Sequence, residues 1–121
     1  MRRALLLALL LVPAAAQAKD RTITFCLEDG AGGSPKRGHV LVWSSELEIA
    51  KDAENAFKID STGCVEIASL QWNGVAFPLK AWMSVDYEVV APGFYDVPGV
   101  LRISKKKRDN EKVILLERKT G

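Results

Sequence analysis

The sequence predicts an all-β fold, a Greek-key β-sandwich of about seven strands. From Thr22 onward, apolar and polar residues alternate in short runs, which is the pattern of half-buried strands. Clusters of Gly, Pro, Asn and Asp separate these runs at intervals of about eight to twelve residues. The alternation and the turn spacing together favour an antiparallel sandwich over a helical or α/β fold.

The first two strands lie on either side of a glycine-rich segment. Residues 22–28 alternate so that Ile23, Phe25 and Leu27 share one face. Residues 29–38 hold four Gly and one Pro, and we expect an exposed, flexible loop there. Residues 40–43 are apolar on both faces, which predicts a central strand.

The next segment, residues 45–57, breaks the two-residue period. Ile49, Ala53 and Phe57 fall at four-residue steps behind Ser45, a candidate N-cap, and this spacing predicts one short helix near residues 46–56. An extended strand that ends in a loop explains the segment equally well, so both alternatives stay open.

A hairpin is predicted to follow. Residues 57–59 and 65–67 flank Asp60-Ser61-Thr62-Gly63, where Gly63 suits a position of positive φ in a tight turn. Residues 71–78 are expected to form a loop.

Three further strands complete the prediction. Residues 81–91 form the longest one, with Trp82 on its polar face. Residues 99–103 and 113–117 form the last two, joined as a hairpin by the charged turn at residues 104–112. The predicted core face of the long strand comprises Ala81, Met83, Val85, Tyr87 and Val89.

The first eighteen residues differ from the rest in composition. An Arg pair precedes an apolar run at residues 4–12, and Ala16-Gln17-Ala18 is the small-x-small motif of signal peptidase sites. The run is too short for a spanning helix, which needs about 20 residues. We therefore predict a cleaved signal peptide at residues 1–18 and a single soluble domain at residues 19–121, periplasmic or secreted.

Charge gives no support for a polyanionic partner. The chain has 17 Lys and Arg against 15 Asp and Glu, and losing Arg2 and Arg3 with the signal peptide leaves 15 of each. The tract Lys105-Lys106-Lys107-Arg108 could bind anionic lipid, lipopolysaccharide or nucleic acid. Because Asp109 and Glu111 follow at once, we interpret the tract as a solvated turn, and we expect no nucleic-acid partner.

The two cysteines are predicted to form a disulfide, Cys26–Cys64, because export places them in an oxidising compartment. Both lie on the polar faces of their strands. The bridge therefore requires these strands to be neighbours, or a bulge to turn one Cys inward. The sequence has no C-x-x-C motif and only one histidine, His39, so neither a redox pair nor a metal site is expected.

Three segments carry a family resemblance. The chain resembles carboxypeptidase regulatory-like domains, which belong to the transthyretin-like group. The "G-A-x-V-x-V" strand of these domains corresponds to residues 38–43, the "T-D-x-x-G-x-F-x-I" hairpin to residues 57–67, and the "V-x-A-x-G-Y" strand end to residues 87–94. The resemblance covers most of residues 20–118. It implies a prealbumin-like, seven-stranded sandwich with no catalytic centre of its own.

The chain departs from these motifs at three positions. Val65 stands where an aromatic residue is usual, Phe94 replaces Tyr, and Cys64 follows the turn glycine.

No residue set predicts catalysis or a cofactor. A nucleophilic mechanism would have only His39 as its base, and a lone His at a strand start is usually structural. Asp86 and Glu88 share one strand face, but Lys80 and Ser84 beside them indicate a solvated surface rather than a glycosidase pair. We expect a protein that is not an enzyme and that has no cofactor.

Trp72 and Trp82 are the candidate binding residues. Trp is enriched in protein interfaces and where sugar rings stack, although Trp in a small domain also completes cores. The expected function is therefore that of a binding module. A protein partner in the cell envelope, bound in an accessory, inhibitor or immunity-type role, is the first hypothesis. Carbohydrate or cell-wall binding through the two Trp residues is the alternative.

Overall fold

A computed structural model describes residues 20–120 of the chain. The predicted signal peptide lies outside the described residues. Nine strands and two short 3-10 turns, Ala53–Asn55 and Lys107–Asn110, make up the regular structure of the described part. The strands are β1 (Ile23–Asp29), β2 (His39–Trp43), β3 (Ala56–Lys58), β4 (Cys64–Ile67), β5 (Ser69–Trp72), β6 (Val75–Pro78), β7 (Ser84–Val90), β8 (Val97–Arg102) and β9 (Glu111–Leu116).

The strands form two main sheets and a hairpin. One sheet has the order β4-β1-β9, the other has the order β3-β2-β7-β8, and β5 pairs with β6. The rings of Phe25 in β1 and Tyr87 in β7 meet between the two sheets, with centroids 4.9 Å apart. The all-β sandwich is thus confirmed, and seven strands belong to its two sheets. One pair, β1 with β9, is parallel, a departure from the antiparallel pattern that the alternation predicted.

The core lies between the sheets and follows the predicted alternation. Ile23, Phe25 and Leu27 of β1 are buried. Strand β2 lies between β3 and β7, which confirms its predicted central place. The other fully buried large side chains are Val40, Val42, Ile49, Ile67, Leu70, Leu79, Val85, Val89 and Ile103.

Residues 45–55 form a loop rather than the alternative short helix. Ser44 and Ile49 make an isolated antiparallel bridge, and this contact takes Ile49 into the core without helical backbone. The one helical feature of the loop is the 3-10 turn Ala53–Asn55, in which the carboxylate of Asp52 accepts a hydrogen bond from the Glu54 N–H at 3.1 Å.

The turn at residues 60–63 has the predicted conformation, with Gly63 at φ +82°. The predicted hairpin around it is wrong, because β3 pairs with β2 and β4 pairs with β1. The Gly63 carbonyl accepts a hydrogen bond from Leu27 N–H at 2.9 Å, which draws the chain after the turn toward β1. The turn therefore carries the chain from one sheet to the other.

Asp60 stabilises this crossing. Its carboxylate accepts hydrogen bonds from the Thr62 N–H at 2.8 Å and from the Thr62 hydroxyl at 2.5 Å. These bonds favour the ionised form and lower the pKa of Asp60 below its ordinary value.

The lowered pKa predicts a pH-dependent contribution to stability. A carboxylate with a depressed folded-state pKa stabilises above its unfolded pKa, about 3.9, and the contribution is lost as pH falls through the folded value. We therefore expect the melting temperature of Asp60→Asn to lie below that of the unmutated protein at neutral pH and to approach it at low pH. Melting curves across this range check the prediction, and a gap that is the same at every pH would contradict it.

Two other connections also differ from prediction. Residues 71–78 are not a loop: β5 and β6 form a hairpin whose turn residues, Asn73 and Gly74, have φ of 53° and 76°. Strands β8 and β9 do not form a hairpin. Strand β8 pairs with β7, whereas β9 crosses to the other sheet and pairs with β1.

The disulfide is present, and its strands are neighbours as predicted. Cys26 of β1 lies directly opposite Cys64 of β4 in the antiparallel register, with Cα atoms 4.0 Å apart. No bulge is needed, because residues opposite each other across two strands project on the same side.

Candidate binding surface around Trp82

The most exposed Trp of the chain lies in the turn before β7. The predicted strand over residues 81–91 begins only at Ser84, and Trp82 belongs to the turn at residues 80–83, which Met83 N–H closes by donating to the Lys80 carbonyl at 3.3 Å. Trp82 is 58% exposed, so of the two alternatives for this residue, an accessible indole and a core-packing one, the structure has the accessible indole, although the strand does not reach it.

The backbone of Trp82 is in the left-handed region, with φ of +73°. This is the conformation of the third residue of a type II turn, where Gly or Asn is usual. For a bulky L-residue it costs about 1–2 kcal/mol. A Trp in this place is therefore not explained by local stability.

Neighbouring groups hold Trp82 in this conformation. Its N–H donates to the Ile103 carbonyl at 2.6 Å, and its carbonyl accepts from the Arg102 guanidinium at 2.7 Å. Glu46 lies 3.7 Å from the same guanidinium and also accepts from Ser84 N–H at 3.3 Å. The indole is thus presented to solvent by a backbone fixed from both sides.

Strand β8 gives this surface an open edge. Ile103, just after β8, directs both backbone groups toward the β7 side, since its N–H donates to Met83 and its carbonyl accepts from Trp82. Backbone groups alternate in direction along an extended chain, so those of Arg102 and Val100 point the other way. Among residues 20–120 no strand pairs with that edge, and Val100 is 66% exposed.

The structure gives Trp72 a different environment. Trp72 ends β5, is half-buried and packs against the core. The two candidate residues are therefore not equivalent: Trp72 contributes to packing, and Trp82 is available to a partner. We call the set Trp82, Val100, Arg102 and Glu46 the Trp82 surface.

The residues that were weighed as catalytic candidates are held in hydrogen bonds and ion pairs or lie apart from one another. Asp86 accepts hydrogen bonds from the N–H and hydroxyl of Ser45, and Glu88 pairs with Lys51 at 2.7 Å. His39 is half-buried at the start of β2. Within residues 20–120, no group of three or more His, Cys, Asp or Glu is placed to hold a metal ion, and none of the described segments is a helix long and apolar enough to span a bilayer.

Comparison with known proteins gives no family. No family model matches the chain, and no curated protein matches it either. Among solved structures, the chain is similar to a mutant of catechol 1,2-dioxygenase from Acinetobacter radioresistens, with a TM-score of 0.44 and 13% sequence identity. The match covers 80% of this chain and 44% of the dioxygenase chain.

Proposed function

We propose that this protein is an exported, non-enzymatic binding module that engages a protein partner in the cell envelope through the Trp82 surface. The observation that carries the proposal is the exposed indole of Trp82 on a strained backbone. Strain of this kind persists only where surrounding structure enforces it, and it clusters at functional positions.

The chemistry of the surface suits a protein partner. Trp and Arg are the residues most enriched at binding hot spots, and here an Arg side chain directly supports the Trp. The open edge of β8 offers backbone donors and acceptors to a partner strand, with exposed Val100 as a side-chain contact. An extended segment of the partner would add to the sheet at β8.

The disulfide supports the proposed cellular compartment, and the all-β architecture is compatible with the resemblance to carboxypeptidase regulatory-like domains. A stable bridge between Cys26 and Cys64 forms in oxidising compartments, in keeping with a periplasmic or secreted protein. The transthyretin-like group is an all-β sandwich, as this chain is. Membership in that group is part of the proposal.

Replacing Trp82 by Asn separates binding from folding. Asn tolerates the left-handed backbone, so we expect the free energy of unfolding to stay unchanged or to rise by about 1 kcal/mol. In a crosslinked pull-down from an envelope extract, followed by reconstitution with the purified partner, the same variant should lose binding. Val113→Asn, an equally accessible apolar position in the other sheet, is the control and should bind normally.

Two outcomes would contradict the proposal. A loss of about 3 kcal/mol in Trp82→Asn would show that the indole is a packing residue. A partner that binds both variants alike would place the interface elsewhere.

Carbohydrate binding is the second candidate, because an exposed indole also stacks on sugar rings. Retention of the protein on insoluble cell-wall polymer, lost in Trp82→Asn and unaccompanied by any protein partner, would favour this candidate over the first.

A further inference from the structure

A second surface lies at the other end of the four-stranded sheet. His39 and Val90 are opposite each other at the start of β2 and the end of β7, and both line a pocket of about 760 Å³. We call it the cationic pocket. Its ionisable lining residues are Lys36, Arg37, His39, Lys58, Asp96 and Lys119, and the buried Phe94 contributes to its apolar part.

Within residues 20–120, the cations of this pocket have no carboxylate partner in an ion pair. Of the ion pairs within the described residues, none involves Lys36, Arg37, Lys58 or Lys119. Asp96 is the one acidic residue in the lining, so the pocket carries a net charge of +3 with His39 neutral. Residues 20–120 hold 14 basic and 15 acidic side chains, so this concentration does not follow from the overall charge.

Several distant segments bring these charges together. Lys58 lies directly opposite His39 in the β2–β3 register. Lys119 is attached to the same end through its N–H, which donates to the Gly93 carbonyl at 2.9 Å. Gly38 has φ of +135°, and a Cβ there would lie 2.7 Å from the Val90 carbonyl oxygen, so the backbone carrying Arg37 packs closely against β7.

We infer that the cationic pocket is a binding site for a multiply charged, phosphate-bearing anion. Like charges that converge without partners repel one another, and a bound anion relieves that repulsion. A single carboxylate neutralises one cation, whereas two linked phosphates carry a charge of about −3 to −4 and match a site of net charge +3. Arg37 can engage phosphate oxygens through two N–H groups, and the lysines act as point charges.

This site is independent of the Trp82 surface. Strand β7 runs from Ser84, beside Trp82, to Val90, in the pocket lining, and a strand of seven residues spans about 20 Å. An experiment that rules out binding at one site therefore does not bear on binding at the other.

The test is calorimetric titration of the oxidised protein with pyrophosphate at low salt. We expect a Kd below about 1 mM that weakens as NaCl rises from about 20 to about 200 mM. Arg37→Gln and Lys58→Gln should each weaken binding about tenfold, since each removes a hydrogen bond to a charged group. The control is Lys105→Gln/Lys106→Gln, which removes two exposed cations outside the pocket and should bind as the unmutated protein does.

Three results would overturn the inference. These are no measurable binding of pyrophosphate, an equal loss in the control variant, or tighter binding of citrate, which carries similar charge on carboxylates. Melting temperatures of all variants show whether the fold is intact.

A second arm identifies the source of the phosphate. Co-sedimentation with phosphatidylglycerol vesicles, compared with phosphatidylcholine vesicles, tests a lipid headgroup. Dependence of vesicle binding on Arg37 and Lys58 would support the site with a membrane phosphate as its ligand. Pyrophosphate binding without vesicle binding would support it with a soluble phosphate ester.

Discussion

Removing the Cys26–Cys64 disulfide should lower the free energy of unfolding by about 3–4 kcal/mol. The bridge joins residues 38 positions apart, so its loss frees a long loop in the unfolded chain. Both cysteines are only half-buried on the outer side of their sheet, so replacing them by Ala removes little core packing. The effect should therefore come mainly from the lost covalent constraint.

The measurement is thermal and urea unfolding of Cys26→Ala/Cys64→Ala. We expect a melting temperature lower by about 12–32 °C, because a change of 1 kcal/mol shifts a domain of this size by about 4–8 °C. The unmutated protein under reducing conditions is the control, and it should behave like the double variant. If the variant melts within a few degrees of the oxidised protein, the bridge is not a main source of stability.

Replacing Asn55 by Ala should cost about 2–4 kcal/mol. Asn55 is fully buried, and its side chain binds both backbone groups of Gln71: the amide donates to the carbonyl at 2.8 Å and its oxygen accepts from the N–H at 2.7 Å. These contacts take the place of a neighbouring strand along one edge of β5. Alanine would leave both Gln71 groups without partners in a partly buried site.

Gln71→Ala is the matched control for this prediction. It removes a side chain at the same contact but keeps the backbone groups that Asn55 binds, so we expect a loss well below that of Asn55→Ala. Urea unfolding of the two variants gives the comparison. Equal losses would show that the Gln71 side chain, and not the pair of hydrogen bonds from Asn55 to the Gln71 backbone, stabilises this region.

The alternation of apolar and polar residues was sufficient to predict those strands that have one buried face. Ile23, Phe25 and Leu27 alternate with polar residues because one face of β1 lies against the core. The same alternation placed Cys26 and Cys64 on the opposite, outer face of their strands. The proximity of Cys26 and Cys64 then predicted the β1–β4 pairing. A chemical constraint thus supplied a long-range contact that periodicity does not contain.

Connections between sheets were not predictable in this way. Asp60-Ser61-Thr62-Gly63 forms the same tight turn whether the flanking strands pair with each other or belong to different sheets. The turn residues therefore cannot distinguish a hairpin from a connection between sheets. The β5–β6 hairpin was missed for a different reason. Asn73-Gly74 is a strong turn signal, but every residue of β6 is exposed, so the strand shows no alternation.

The candidate site was predictable in part. The alternation placed Trp82 on a polar face but left exposure and core packing open as alternatives. Its left-handed backbone was not predictable, because that conformation depends on Arg102 and Ile103, about twenty positions later in the chain. The cationic pocket has no local signature at all. Lys36, Lys58 and Lys119 come from segments widely separated in the chain, and only the fold brings them to one place.

The parallel pairing of β1 with β9 has a consequence for biosynthesis. The sheet that begins with Ile23 is completed only when residues 111–116 have left the ribosome. Until then, β1 lacks its partner on that side, and Ile114 and Leu116 are missing from the core. Because contacts between distant parts of a chain form slowly, we expect the closure of this sheet to be a late step of folding.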